Sequence, residues 1–193
     1  VPVGRWVIAT AAAQANRWQQ NFPDLSERLM LSVNISARQF QESDLVDFFT
    51  QLKEERQISP GQLKLELTES ALMEHPEQAR RTLEALKALG LSLWVDDFGT
   101  GFSSMSYLQQ LPLDRLKVDR SFVKDIKPGA SAVLAETIVT LGNKLGLLTI
   151  AEGVEKREQA SYMIKLGCDE AQGYLYAKPM PFDALLEFLK KQD

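Results

Sequence analysis

The residues best suited to chemistry are carboxylates set at the ends of strand-like runs. Asp96 and Asp97 follow Leu93-Trp94-Val95 directly, and glycines stand just beyond them at 99 and 101. Two adjacent negative charges at a sheet rim repel each other unless a cation joins them, and a divalent metal is the usual partner. A solvated Asp-Asp turn is the other reading of the pair taken alone. Asn34, Glu66 and Asp119 add oxygen donors. With no thiolate or imidazole in the set, Mg²⁺ or Mn²⁺ suits it, whereas Ca²⁺ binds but serves catalysis poorly and is expected to inhibit. There are enough carboxylates for two ions, and a pair about 3.5–4 Å apart clamps the attacking and leaving oxygens of a phosphodiester displacement.

Glu152 is then available as a base, and Lys117 as a point charge for the phosphate or the attacking water. Away from such a site, Lys117 and Asp119 would be a short alternation on a wet strand face. Glu69 lies three residues beyond Glu66, so strand alternation turns it from that face. It reads as an anchor for the loop over 98–104, accepting backbone N–H bonds, or as a solvated loop Glu.

The elements that must position these groups follow from periodicity. Gly4 to Gln20 reads as a helix, and Leu31 to Ser36 alternates like a strand. Leu45, Phe48, Phe49 and Leu52 have helical spacing, and Leu63 to Glu69 alternates strictly after a Pro60-Gly61 turn. Pro76 opens a helix that carries Ala79, Leu83, Leu86 and Leu89 and stops at Gly90. A short buried strand over Leu91 to Val95 comes next, then a helical stretch near 103–110 and a strand over Leu116 to Asp119. The Leu134, Ile138, Leu141, Leu145 stripe ends at Gly146, and Leu147 to Glu152 reads as a strand. A helix to Leu166, a strand over Glu170 to Leu175 and a helix over Phe182 to Leu189 complete the chain.

This alternation predicts an α/β fold with a parallel sheet, in one domain over residues 1–193. Each of six strands ends near a polar group: Asn34, Glu66, Asp96 with Asp97, Asp119, Glu152 and Gln172. Functional groups at successive strand ends fit a TIM-like (β/α) barrel, whose site lies on the C-terminal rim. A doubly wound sheet would gather function at one switch point behind a glycine-rich phosphate turn, and no such turn is present.

Bulk properties narrow the partners. A formal charge of −4 over 193 residues argues against a basic groove for a nucleic-acid polymer. No apolar run reaches the roughly 20 residues of a membrane span, so no membrane contact is expected from this segment. The single cysteine, Cys168, forms no internal disulfide and points to a reducing, cytoplasmic setting. His75 is the only histidine and reads as a solvated loop residue, which excludes chemistry needing a second imidazole.

Six motifs in order carry a resemblance: Asn34-Ile35-Ser36, Glu66-Leu67-Thr68-Glu69, Asp96 to Gly101, Lys117 to Phe122, Ala151 to Glu155 and Gln172-Gly173-Tyr174. Together they resemble the EAL family of cyclic di-GMP phosphodiesterases over nearly the whole chain. The resemblance implies a modified TIM barrel that hydrolyses cyclic di-GMP to linear pGpG with Mg²⁺ or Mn²⁺. It implies Asn34, Glu66, Asp96, Asp97 and Asp119 as metal ligands, and Lys117 and Glu152 as the groups positioning and activating the water. Glu155 and Gln172 would line the substrate site, and Glu69 would hold the loop. A homodimer and an attached sensory or cyclase domain are expected on the same ground.

One departure stands at the front. The chain starts at Val1 and lacks the Glu-Ala-Leu motif, and with it two strands, one metal-binding glutamate and an arginine near the substrate phosphate. The expectation is an incomplete barrel of about six strands with exposed edges, cut from a longer parent, either free or membrane-anchored, with little or no turnover by this chain alone. A degenerate module that binds cyclic di-GMP or a protein partner without cleavage is the alternative.

Overall fold

The computed structural model describes residues 2–21, 29–56, 63–99, 105–126 and 132–191. Their strands are β1 (Leu31–Ile35), β2 (Leu63–Thr68), β3 (Ser92–Phe98), β4 (Arg115–Val118), β5 (Leu148–Ala151) and β6 (Glu170–Ala171). The helices are α1 (Pro2–Asn21), α2 (Ala37–Phe40), α3 (Leu45–Arg56), α4 (Glu69–Met73), α5 (Pro76–Ala88), α6 (Met105–Leu108), α7 (Arg120–Val123), α8 (Val133–Leu145), α9 (Arg157–Lys165) and α10 (Phe182–Leu189). The Pro60-Gly61 turn and residues 100–104 lie outside the described residues.

All neighbouring strands are parallel, and their spatial order repeats their sequence order, β1-β2-β3-β4-β5-β6. A doubly wound sheet reverses its order at a switch point, and this one does not. Register assigns the two faces. Asn34 lies beside Glu66, Glu66 beside Trp94, Trp94 beside Arg115, and Lys117 beside Ile150. The other face carries Val33, Ile35, Leu63, Leu65, Leu67, Leu93, Val95, Leu116, Val118 and Ala151, all part of the hydrophobic core. Helix residues such as Leu52, Leu83, Leu86, Ile138 and Val139 belong to that same core. Trp94 and Ile150 are buried but stand apart from it. The helices thus cover one face and the polar residues share the other, as in a barrel wall. Among the described residues the sheet is not closed by hydrogen bonds between β1 and β6.

Local signals act as the sequence indicates at several ends. Pro76 stands at the first turn of α5, and Gly146 ends α8 at φ 72°. Ser36 caps α2 through a reciprocal bond with Gln39. Two elements differ from expectation. The final strand is only Glu170–Ala171, because the chain turns at Gly173, whose carbonyl accepts from Tyr176 N–H at 3.1 Å. The central strand runs on to Phe98, so Asp96 and Asp97 lie inside it and not beyond its end.

Candidate active site

That extension carries an irregularity. Val95 pairs with Leu116 and Phe98 with Val118, so β3 spends three steps where β4 spends two. Asp97 takes φ 53°, the left-handed region that a non-glycine residue seldom enters. A regular strand would send successive side chains to opposite faces; the bulge cancels that alternation. Donor oxygens of Asp96, Asp97 and Glu152 consequently all lie within 4.8 Å of one another. The Asp97 N–H donates to Asp96 Oδ1 at 3.0 Å. Burial, with Asp96 and Asp119 adding to it, raises the Asp97 carboxyl above its ordinary range.

Lys117 stands at the centre. Its Nζ lies 2.6 Å from Glu66 Oε2, 2.9 Å from Asp96 Oδ1 and 2.5 Å from Glu152 Oε1. Burial opposes its charge, but bonds to Glu152 and Glu66 outweigh that, and its pKa is raised. Glu152 is likewise raised by burial, in spite of the Lys117 bond, and Asp96 and Glu66 push in the same direction. Gln172 Nε2 donates to Glu152 Oε1 at 2.8 Å.

Asn34 occupies β1, exposed, in register with Glu66. Asp119 caps α7 by accepting from Ser121 N–H at 2.9 Å. Burial works against the ionised form there, yet the Ser121 and Arg120 bonds hold the carboxyl below its ordinary value. Asp119 does not belong to the tight Asp96, Asp97, Glu152 group. Glu69 is the first residue of α4 and 3% exposed, so it is not a solvated loop residue. Its Oε2 accepts from Gly99 N–H at 3.0 Å.

Beside the acids opens a cleft of about 450 Å³ containing Glu155, Gln172, Arg120, Tyr174 and Lys178. Arg120 pairs with Glu155 at 2.6 Å. A Cβ on Gly173 would lie 2.2 Å from the Val154 carbonyl oxygen, so only glycine lets the chain lining the cleft pass this close to Val154. Sequence reasoning did not single out Arg120 or Lys178 as cleft residues; Arg120 is a cation directly after Asp119, the one signal that points to it.

The donor set fits a hard divalent cation, since the clustered ligand atoms are all carboxylate oxygens. A parallel sheet in sequential order, helices on one face and a cluster of oxygen donors over the strand ends define a domain of the TIM-like α/β class with a candidate metal site. The chain belongs to the EAL domain family, whose model matches residues 2–179.

It is 39% identical over 192 residues to the cyclic di-GMP phosphodiesterase PdeR of Escherichia coli, covering 99% of this chain and 28% of that protein. It is 44% identical over 165 residues to the cyclic di-GMP phosphodiesterase NbdA of Pseudomonas aeruginosa, covering 85% of this chain and 21% of that one. The chain therefore spans about a quarter of the length of the curated relatives it matches. Among solved structures it resembles the PaMucR phosphodiesterase in complex with c-di-GMP, with a TM-score of 0.88 and 36% identity over 96% of this chain and 80% of that one. No helix among the described residues is long and apolar enough to cross a membrane.

Proposed function

We propose that this EAL domain, within its full-length protein, hydrolyses cyclic di-GMP to linear pGpG. The observation that carries the reading is the convergence of Glu66, Asp96 and Glu152 on Lys117, with Asp97 brought to the same side by the strand bulge. Its likeness to phosphodiesterases named for this substrate, one of them solved with c-di-GMP, supports the choice of nucleotide.

Asn34, Glu66, Asp96, Asp97 and Asp119 would hold Mg²⁺ or Mn²⁺, which supplies charge neutralisation at the attacking and leaving oxygens. Glu152 accepts the proton of the attacking water; its raised pKa makes it a stronger base than a surface carboxylate. Lys117 and Gln172 hold the Glu152 carboxylate in place from two directions. Lys117 also offers its positive charge to the phosphate. Glu155 and Gln172, in the adjoining cleft, hold the nucleotide. Glu69 anchors the Gly99 end of the following loop.

The test is incubation of cyclic di-GMP with the full-length protein in Mg²⁺, Mn²⁺, Ca²⁺ and chelator, with the nucleotides separated by chromatography. Formation of pGpG in Mg²⁺ or Mn²⁺, its absence in Ca²⁺ or chelator, and its loss in Glu152→Gln are expected. Nucleotide binding without consumption would replace the hydrolase with a binding module.

A further inference from the structure

Arg120 directly follows Asp119 at the start of α7, behind β4, and its side chain crosses to the next strand end. Gly153 and Glu155 stand there, in the irregular stretch between β5 and α9. The stem of Arg120 lies against Gly153. A Cβ on that glycine would stand 2.3 Å from Arg120 Cγ and 2.7 Å from Cδ, and its backbone takes φ 62°. Glycine therefore supplies a slot that any side chain would fill. At the end of the slot, Arg120 Nη2 donates to Glu155 Oε1 at 2.6 Å. Both β4 and β5 are interior strands of the sheet, so the contact does not depend on either edge.

The backbone of Glu155 is held separately. Gln159, on α9 and 3% exposed, accepts from the N–H groups of Glu155 and Lys156 at 2.8 and 2.9 Å. Its Nε2 donates to the carbonyls of Val123 and Lys124, each at 3.2 Å. The amide thus uses both acceptor and both donor positions to tie the end of α7 to the turn carrying Glu155. Stability does not account for the side-chain contact above that tie. The Arg120 and Glu155 side chains are 60% and 40% exposed, and an ion pair so open to solvent adds little to folding. What the pair does fix is a glutamate with several rotatable bonds, which would otherwise sample many directions over the cleft. The bond takes Oε1 and leaves Oε2 to accept from a ligand in that cleft.

We propose that Arg120 is a positioning residue, which sets the direction in which the Glu155 carboxylate receives the nucleotide. The inference rests on the reading of this domain as a cyclic di-GMP phosphodiesterase. An ionised carboxylate only accepts hydrogen bonds, and the edge of a guanine base carries N–H donors for it. A carboxylate already aimed into the cleft loses little side-chain freedom when that edge arrives, so the benefit falls on nucleotide affinity and not on the rate of cleavage. The guanidinium also balances the negative charge that Glu155 would otherwise turn toward an anionic substrate.

Steady-state hydrolysis of cyclic di-GMP by the full-length protein in Mg²⁺ supplies the test. Arg120→Met keeps the stem and removes the charge. Its KM should rise about three- to tenfold, the effect of ordering one long side chain on binding, while kcat stays within about twofold. Arg120→Lys should restore most of the loss. The melting temperature of Arg120→Met should stay near the parent's, because the pair is exposed, which separates a change of aim from a change of fold. In a Glu155→Ala background, Arg120→Met should raise KM little further, since the arginine then has no carboxylate to aim. A KM that Arg120→Met leaves unchanged or lowers overturns the positioning role. An equal rise with and without Glu155→Ala overturns it too, and makes Arg120 a direct contact to the nucleotide. A parent protein that does not consume cyclic di-GMP overturns the phosphodiesterase reading, and this inference with it.

Discussion

Lys117 and Glu152 meet at 2.5 Å between adjacent strand ends, with the lysine side chain 4% and the glutamate side chain 15% exposed. Glu66 and Asp96 crowd the same ammonium. Lys117 is therefore the counter-charge that lets the carboxylates gather before any metal arrives. The arrangement is one-sided: three acids depend on one base, and none is matched if that base is lost.

Lys117→Met should lower metal-free stability by about 3–5 kcal/mol, the cost of leaving buried charges without their partner. Mn²⁺ should recover more of this loss than it adds to the parent protein. Urea unfolding with chelator and with Mn²⁺ measures both changes, and equal Mn²⁺ effects would show that the lysine is not the counter-charge.

Asp97→Asn should raise metal-free stability by a few tenths of a kcal/mol at most, since it relieves the burial of a charge and its repulsion from Asp96 and Asp119, which solvent screens at this exposed position, while asparagine tolerates the left-handed backbone. Asp97→Ala should lower it instead, because a left-handed alanine costs about 1–2 kcal/mol, more than the relieved repulsion returns. In Asp97→Asn the Mn²⁺-dependent rise in melting temperature should shrink markedly. Calorimetric melting at graded Mn²⁺ tests the pair.

Glu69→Ala strips the Gly99 N–H of its acceptor and should cost about 1–3 kcal/mol. Glu69→Gln keeps a carbonyl oxygen there and should cost less. Hydrogen exchange at the Gly99 amide should rise in the alanine variant, and unchanged protection would place the anchor elsewhere.

Cys168 supplies a pH dependence clear of the acidic cluster. Burial raises its thiol above the ordinary 9.0, and Sγ lies 3.3 Å from the Glu170 carbonyl oxygen. The unfolded thiol ionises first, so the folded protein has the full benefit of the neutral thiol below 9.0 and loses it as pH rises through the folded value. Relative to Cys168→Ala, the parent protein should lose stability as pH climbs past 9.0. Alkylation by iodoacetamide should be slow in the folded state and fast in urea.

Much of the fold is legible locally. The spacing of Ala79, Leu83 and Leu86 marks the buried side of α5, and all three are indeed buried. Leu63, Leu65 and Leu67 mark the core side of β2. The last strand is shorter than its spacing suggests: Leu175 looks like a continuation of Glu170-Ala171, but its N–H bonds to the Val154 carbonyl beyond β5 and the chain is already turning. The carboxylates were visible as residue types at strand ends. Their sharing of one side was not, because ordinary alternation places Asp96 and Asp97 on opposite faces and nothing in their order announces a bulge.

The amino-acid sequence by itself determined the succession of strands and helices, their apolar faces and the supply of oxygen donors, since these depend on periodicities of two and 3.6 within short windows. Tertiary structure alone decided that Lys117 reaches Glu66 across the inner face, that Asp97 turns beside Asp96, and that Lys64 and Arg115 share Trp94. Those relationships depend on strand order and register, set by packing summed over the whole sheet, and one residue of slip would send each side chain to the other face.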